Sequence, residues 1–221
     1  MIEIAIDGTA ASGKGTLAKK LASKYGFPHL DTGLLYRKVA FELINKKTHN
    51  LPNLESTSCS IAQKISLYKL EGRKLRSEKT AKLASSIASF PKLRKILNQK
   101  QIEFANENKE KFGGCILDGR DIGTVILPKA NFKFFINASV EVRAKRRLLE
   151  KNISFLHEKD EKCMLQSLID YIIERDNLDS NRLTSPLVPA KDAHVIDTSL
   201  INPEELLLIV SNIIEGTENS K

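Results

Sequence analysis

The chain has 221 residues, 41% of them hydrophobic, which suits one compact unit or a core with a small insert. No apolar run approaches the ~20 residues of a membrane span, and the N-terminus lacks the charged and long apolar regions of a signal peptide. A cytoplasmic chain without a membrane partner is therefore expected. The formal net charge of +8 fits a solvated basic surface or an anionic ligand, and three cysteines, Cys59, Cys115 and Cys163, lie too far apart for a disulfide framework or zinc site.

In chain order, Ile2-Glu3-Ile4-Ala5-Ile6 opens a buried strand over about residues 2–7. Gly8-Thr9-Ala10-Ala11-Ser12-Gly13-Lys14-Gly15-Thr16 follows, and it reads as a phosphate-binding loop between strand and helix. Such a loop turns backbone N–H groups inward, and the next helix aims its positive dipole end at the same spot. Lys14 can reach the β/γ-phosphates. The usual pattern places Ser or Thr directly after the lysine; here Gly15 stands there and the Thr16 hydroxyl is the one available to Mg²⁺ or its waters. Leu17, Ala18, Leu21, Ala22 and Tyr25 share one face of the helix.

A short strand ends near Leu30-Asp31, and Asp31-Thr32-Gly33-Leu34-Leu35-Tyr36-Arg37 opens a second helix. Asp31 or Thr32 can cap it, but capping does not explain Arg37 one turn in. Residues 46–78 break the rhythm and read as an insert. Ile65 to Leu70 and Arg73 to Arg76, joined by Glu71-Gly72, suggest a small hairpin, although that turn pair is not a strong signal. A third buried run, Cys115-Ile116-Leu117, ends at Asp118 and leads into Gly119-Arg120-Asp121-Ile122-Gly123-Thr124, with Cys115 read as a small core residue. A carboxylate there can hold a metal's water shell and Arg120 a phosphate; the alternative is a polar turn satisfying its own backbone.

Phe132 to Ile136 and His194 to Asp197 read as the fourth and fifth strands. Between them, Arg143, Arg146 and Arg147 share a helix face, as do Arg175, Asp179 and Arg182. The alternatives are a solvated helix face for the first set and a surface ion-pair ladder, worth little, for the second. Leu165, Leu168, Ile169, Ile172 and Ile173 form an apolar stripe at helical spacing. In the last helix Asn202 reads as the N-cap, Pro203 as the first position and Gly216 as the stop, and the last five residues are expected to fray. The four histidines, His29, His49, His157 and His194, have no metal spacing and receive no chemistry.

Strands alternating with helices imply a parallel α/β sheet covered on both faces, with ligands beyond the carboxyl ends of the strands. The glycine loop, Asp31, Asp118 and the Asp197 region all fall at that edge. Lysines are scattered, whereas Arg37, Arg94, Arg120, Arg143, Arg146, Arg147, Arg175 and Arg182 gather in discrete segments. Arginine suits bidentate phosphate recognition, so this pattern favours a phosphorylated substrate over a diffuse polyanion.

Taken together, Gly13-Lys14-Gly15-Thr16, Asp31-Thr32-Gly33 with Tyr36-Arg37, Asp118-Gly119-Arg120-Asp121 with Gly123-Thr124, and Arg175-Asp176 through Asn181-Arg182 before Pro186-Leu187-Val188-Pro189-Ala190 resemble the bacterial-type cytidylate kinases, within the nucleoside monophosphate kinases. The resemblance spans nearly the whole chain. It implies a five-stranded parallel P-loop NTPase core (1–45, 79–142 and 159–221), a small nucleotide-side insert at 46–78 and a short lid at 143–158. ATP is the implied phosphoryl donor, with Mg²⁺ as cofactor and CMP or dCMP as acceptor. By matching position, Gly8, Thr9, Ala10, Ala11, Ser12, Gly13, Lys14, Gly15 and Thr16 hold ATP, with Arg143, Arg146 and Arg147 where the lid begins. Arg37, Arg120 and Arg175 hold the acceptor phosphate, and Thr32 and Tyr36 also bind the substrate. Ser85, Arg94 and Asp121 read the base, and Asp179 and Arg182 meet the sugar. Lys14, Arg120, Arg175 and Asp118 are the implied catalytic set, and Thr16 and Asp118 hold the metal through water.

Cytosine offers an N4 donor with O2 and N3 acceptors, which suits Asp121 against Arg94 and Ser85. Uracil would set O4 against Asp121, a mismatch costing about 1–3 kcal/mol. Leu34 stands where the family usually has a small alanine, which would tighten the acceptor site, and Leu178 replaces a residue often charged. The insert looks shorter than in many bacterial members. The rivals are a kinase for UMP, AMP or shikimate on the same core, or a nucleic-acid-binding P-loop protein, disfavoured by the lack of an aromatic-basic stacking platform. A monomer binding small nucleotides, with no nucleic-acid partner, is expected.

Overall fold

The computed structural model describes residues 1–67, 70, 73–151 and 157–218. Five parallel strands, β1 (Ile2–Gly8), β2 (His29–Asp31), β3 (Gly114–Gly119), β4 (Phe132–Asn137) and β5 (His194–Asp197), form one sheet in the order β2-β3-β1-β4-β5. All five lie where the apolar runs predict them. The helices are α1 (Lys14–Tyr25), α2 (Gly33–Asn45), α3 (Leu54–Lys64), α4 (Glu78–Ile87), α5 (Pro91–Phe112), α6 (Val140–Glu150), α7 (Glu158–Ser180) and α8 (Pro203–Glu218).

Side-chain alternation splits the core into two layers. Ile4, Ile6, Ile116, Phe134 and Ile136 meet Leu17 and Leu21 of α1 and Leu206, Val210 and Ile214 of α8 on one face. Ala5, Cys115 and Leu117 meet Leu35, Val39 and Leu43 of α2 and Leu93, Leu97 and Phe104 of α5 on the other. Cys115 is a buried core residue, as expected. A third, smaller cluster joins α6 to α7 through Ala144, Leu148, Leu168 and Ile172. Of the expected stripe on α7, Leu168 and Ile172 are buried, whereas Ile173 is exposed.

Residues 54–64 of the insert are helical, and Ile61 and Ala62 of α3 join the α2/α5 layer. Two expectations need correction. Arg73–Arg76 is a 3₁₀ turn rather than a strand; the Glu71-Gly72 pair of the expected hairpin lies outside the described residues. Gly216 does not stop the last helix, which runs to Glu218; Asn202 does cap it, its Oδ1 accepting from Glu204 and Glu205 N–H at 2.9 and 3.0 Å. Of the expected lid, 143–150 continue α6 and 152–156 lie outside the described residues, as do 219–221 of the tail.

Candidate active site

The carboxyl edge of the sheet opens into a cavity of about 670 Å³, lined on one side by the glycine loop and on the other by residues from α2, α4, α5 and α7. The loop owes its shape to its glycines. Gly8 has φ +151°, and a Cβ there would lie 2.0 Å from the Ile136 carbonyl oxygen of β4. Gly13, at φ +97°, turns the chain into α1. One loop carbonyl is taken from within the loop and another from outside it. Ser12 Oγ donates to Thr9 O at 3.0 Å, and Thr198 Oγ1 and Arg146 Nη1 donate to Ser12 O at 2.8 and 3.3 Å. Drawing carbonyls outward is how a loop presents its N–H groups to an anion.

Lys14 lies in the cavity, its Nζ 3.4 Å from Thr9 O. Burial, aided by the nearby Arg120 and Arg175 charges, pulls its pKa down to about 7. Arg37 drops to about 10 for the same reasons, with Arg175 and Arg147 its main like-charged neighbours. Arg175 is likewise lowered by burial and by Arg120. These cations are held together against their own repulsion, the condition that a bound polyanion relieves. Asp179 is the local counter-charge: Arg120 Nε donates to its Oδ2 at 2.8 Å, while Arg175 and Arg182 stand at 4.0 and 3.7 Å. Burial opposes its ionisation, but the three arginines outweigh this and keep its pKa below the ordinary value.

At the far end, buried Arg94 pairs through Nη2 with Asp121 and donates from Nη1 to Ala88 O at 3.0 Å. Its guanidinium lies 5.8 Å from the Tyr36 ring centroid. The Tyr36 hydroxyl, Ser85 Oγ and Arg94 Nε are buried without a hydrogen-bond partner among the described residues. Burial pushes the Tyr36 phenol up to about 12, so it stays a neutral donor. Three orphaned polar atoms in one pocket are what a polar, planar ligand would satisfy.

Most of the sequence-predicted residues line this one cavity, including Thr16, Thr32, Arg146, Arg147 and Asp118. Gly8, Thr9 and Arg143 do not. Arg143 is 3% exposed and turned to Ala138 O, Ala10 O and Asp176. Leu34 packs against the α2/α5 layer and does not line the cavity, so it does not tighten the acceptor side as expected. Leu178 is exposed.

Several participants carry no local sequence signal. His29, given no chemistry from sequence, holds Asp118: its Nε2 is 2.6 Å from Asp118 Oδ1. The contact crosses from β2 to β3 and only the pairing register reveals it. Asp7 of β1 is buried and accepts from Ile122 and Gly123 N–H at 2.8 Å each, fixing the turn that carries Asp121. Thr198 lies just beyond β5, one residue past the expected Asp197 region, and ties the glycine loop to Arg146. Arg76 of the insert reaches Asp31 at 3.4 Å and lines the cavity.

The cytidylate kinase family matches residues 4–217. The chain belongs to the cytidylate kinase family. The cytidylate kinase of Methylocella silvestris is 44% identical over 217 residues, covering 98% of this chain and 95% of that protein. That of Bartonella tribocorum is 42% identical over 213 residues, covering 96% and 94%. A shikimate kinase structure from Bacteroides thetaiotaomicron covers 97% of this chain and 98% of its own with TM-score 0.50 at 12% identity, a likeness of fold alone. Family membership carries kinase activity and nucleotide binding with it. Among the described residues no helix is long and apolar enough to cross a membrane.

Proposed function

We propose that this member of the family moves the γ-phosphoryl group of ATP to the phosphate of CMP or dCMP, giving ADP and CDP or dCDP in pyrimidine nucleotide metabolism. The observation that carries this reading is the sharing of one cavity by the glycine loop with Lys14 and by Arg37, Arg120 and Arg175. Two anion-seeking groups facing each other suit transfer between two phosphates better than binding of one.

Gly8 through Thr16 cradle the ATP phosphates, and Arg146 and Arg147 flank the donor side. Arg37, Arg120 and Arg175 hold the acceptor phosphate, with Thr32 beside them. The acceptor oxygen is already ionised, so positioning and charge neutralisation do the catalysis and no strong general base is needed. Mg²⁺, when bound, neutralises charge developing on the transferring group. A hydroxyl and a carboxylate are the hard oxygen donors it takes, completed by water and phosphate. Thr16 lines the cavity, and Asp118, with Oδ1 turned to His29, leaves Oδ2 on the Gly15 side. The fit is adequate for a metal held partly through water.

The Arg94–Asp121 pair suggests that base reading is done by the couple, with Ser85 and Tyr36 adding donors. Asp179, shared among Arg120, Arg175 and Arg182, keeps the arginines in register beside the sugar. A cytoplasmic monomer is the simplest setting for this chemistry.

ADP release measured across the common nucleoside monophosphates tests the reading. CMP and dCMP should be the preferred acceptors. Asp121→Ala should reduce the CMP-over-UMP preference by about tenfold, the scale of one lost buried pairing. Unchanged selectivity would remove Asp121 from base reading, and no CDP from the intact protein would end the proposal.

A further inference from the structure

The α6–α7 hairpin carries Arg146, Arg147, Arg175 and Asp179 into the cavity, yet among the described residues its apolar cluster is separate from the two that sandwich the sheet. Polar contacts therefore matter for how the hairpin is seated. Arg143, on α6, is the most buried of them. Its Nε donates to Ala138 O at 2.8 Å, just past β4, and its Nη1 to Ala10 O at 3.4 Å in the glycine loop. Its Nη2 stands 2.7 Å from Asp176 Oδ2. Asp176 directly follows Arg175 on α7 and precedes Asp179 by one turn. A single planar guanidinium thus touches the donor-side loop, the sheet edge and the acceptor-side helix. Its donors sit in a fixed fork, so the three partners cannot shift independently without breaking a bond. Arg143 does not line the cavity; its guanidinium faces these three protein partners instead.

We propose that Arg143, clamped by Asp176, is a positioning residue: it fixes the Ala10 stretch of the glycine loop relative to Arg175 and Asp179, and so sets the distance between donor and acceptor phosphates. This rests on the (d)CMP kinase reading. Each nucleotide binds mainly to its own half of the cavity, so loosening the link leaves binding nearly intact. Transfer needs the two halves in register, and a displacement of about 1 Å can lower a rate roughly 100-fold.

The test is steady-state kinetics with ATP and CMP on wild type, Asp176→Asn, Arg143→Lys and the double variant, with thermal unfolding of each. Asp176→Asn keeps the shape and removes the charge; Arg143→Lys keeps the charge and removes the fork. Each should lower kcat by about tenfold or more and leave both KM values within about threefold. The double variant should be no worse than about twofold below the poorer single, because both break one link. Unchanged kcat in Asp176→Asn overturns the proposal. So do losses that multiply in the double variant, or a rise in ATP KM in Arg143→Lys with Asp176→Asn silent, which would make Arg143 a nucleotide contact. If Arg143→Lys fails to fold, the split between kcat and KM in Asp176→Asn decides alone. A wild-type protein that phosphorylates no CMP or dCMP rejects the kinase reading itself, a separate result from any of these.

Discussion

Lys14 and Tyr36 are kept in costly surroundings, and each makes a prediction. Lys14 is a half-buried cation with Arg120 and Arg175 for neighbours, and desolvation first, then Arg120, lowers its pKa to about 7. Lys14→Ala removes that strain. The unliganded variant should melt no lower than wild type near pH 7, while kcat falls by about 100-fold or more because a cation at the transferring phosphate is gone. Calorimetry and the coupled assay together check this; near-normal turnover would take Lys14 out of the mechanism. The Tyr36 hydroxyl is buried with no partner among the described residues. Tyr36→Phe should leave the free protein as stable or up to about 1 kcal/mol more stable, since an unsatisfied buried polar group is unfavourable. If the hydroxyl serves the acceptor nucleotide, the CMP KM should rise several-fold with the ATP KM unchanged. Losses in both KM values would mean that Tyr36 supports the cavity as a whole. Both residues were legible in the sequence because each falls in a compact motif whose neighbours are adjacent in the chain. His29 was not, because its partner is 89 positions away and meets it only through strand pairing.

At the scale of elements, the turn after β3 shows how a carboxylate can shape a site without touching a ligand. Ile122–Ile126 is a single wide turn in which Leu127 N–H bonds Ile122 O and Ile126 N–H bonds Asp121 O, and such π-type turns often mark functional positions. Asp7 on the neighbouring strand takes the free N–H groups of Ile122 and Gly123. Burial, only partly offset by those two N–H groups, raises its pKa from 3.8 to about 6. Because the folded value is the higher one, the protonated carboxyl favours folding. That contribution is complete below the unfolded value and disappears as the pH rises through about 6. Two units correspond to about 3 kcal/mol. The stability of wild type minus that of Asp7→Asn, from urea unfolding, should therefore fall by about 2–3 kcal/mol between pH 4 and pH 7. A difference that grows with pH contradicts the assignment. Legibility varied by element for physical reasons. Four of the five strands were readable because each is a short apolar run ending in a turn; β2, His29-Leu30-Asp31, has a single apolar residue. The helix α3 was not, because Glu55 to Ser60 is rich in hydroxyl residues, which leave little apolar periodicity to read. Those hydroxyls instead bond back to carbonyls one turn earlier, Ser58 to Leu54 O at 2.7 Å and Ser60 to Ser56 O at 3.1 Å. Gly216 misled in the opposite way: with no left-handed φ it is an ordinary helical residue.

Across the whole molecule, the cavity is walled by parts of unequal stability. The glycine loop and Asp118 stand on central strands packed on both faces, whereas Arg146, Arg147, Arg175 and Asp179 stand on a hairpin with a small core of its own. Segments with fewer buried apolar contacts open at lower free energy, and moving parts of an active site come from that end of the range. Amide hydrogen exchange of the unliganded protein should accordingly protect β1, β3 and β4 most, and the α6–α7 hairpin at least about tenfold less. The like-charge repulsion among Lys14, Arg37, Arg120 and Arg175 adds to the same effect by favouring a slightly open cavity. A nucleotide pair should reverse it: CMP with a non-hydrolysable ATP analogue neutralises the arginines and bridges both walls. Exchange in α6 and α7 should then slow far more than exchange in the central strands, whose contacts the ligands do not alter. Equal protection of hairpin and sheet in the free protein, or slowing confined to the glycine loop when both ligands are present, would show that the two walls already form one rigid body.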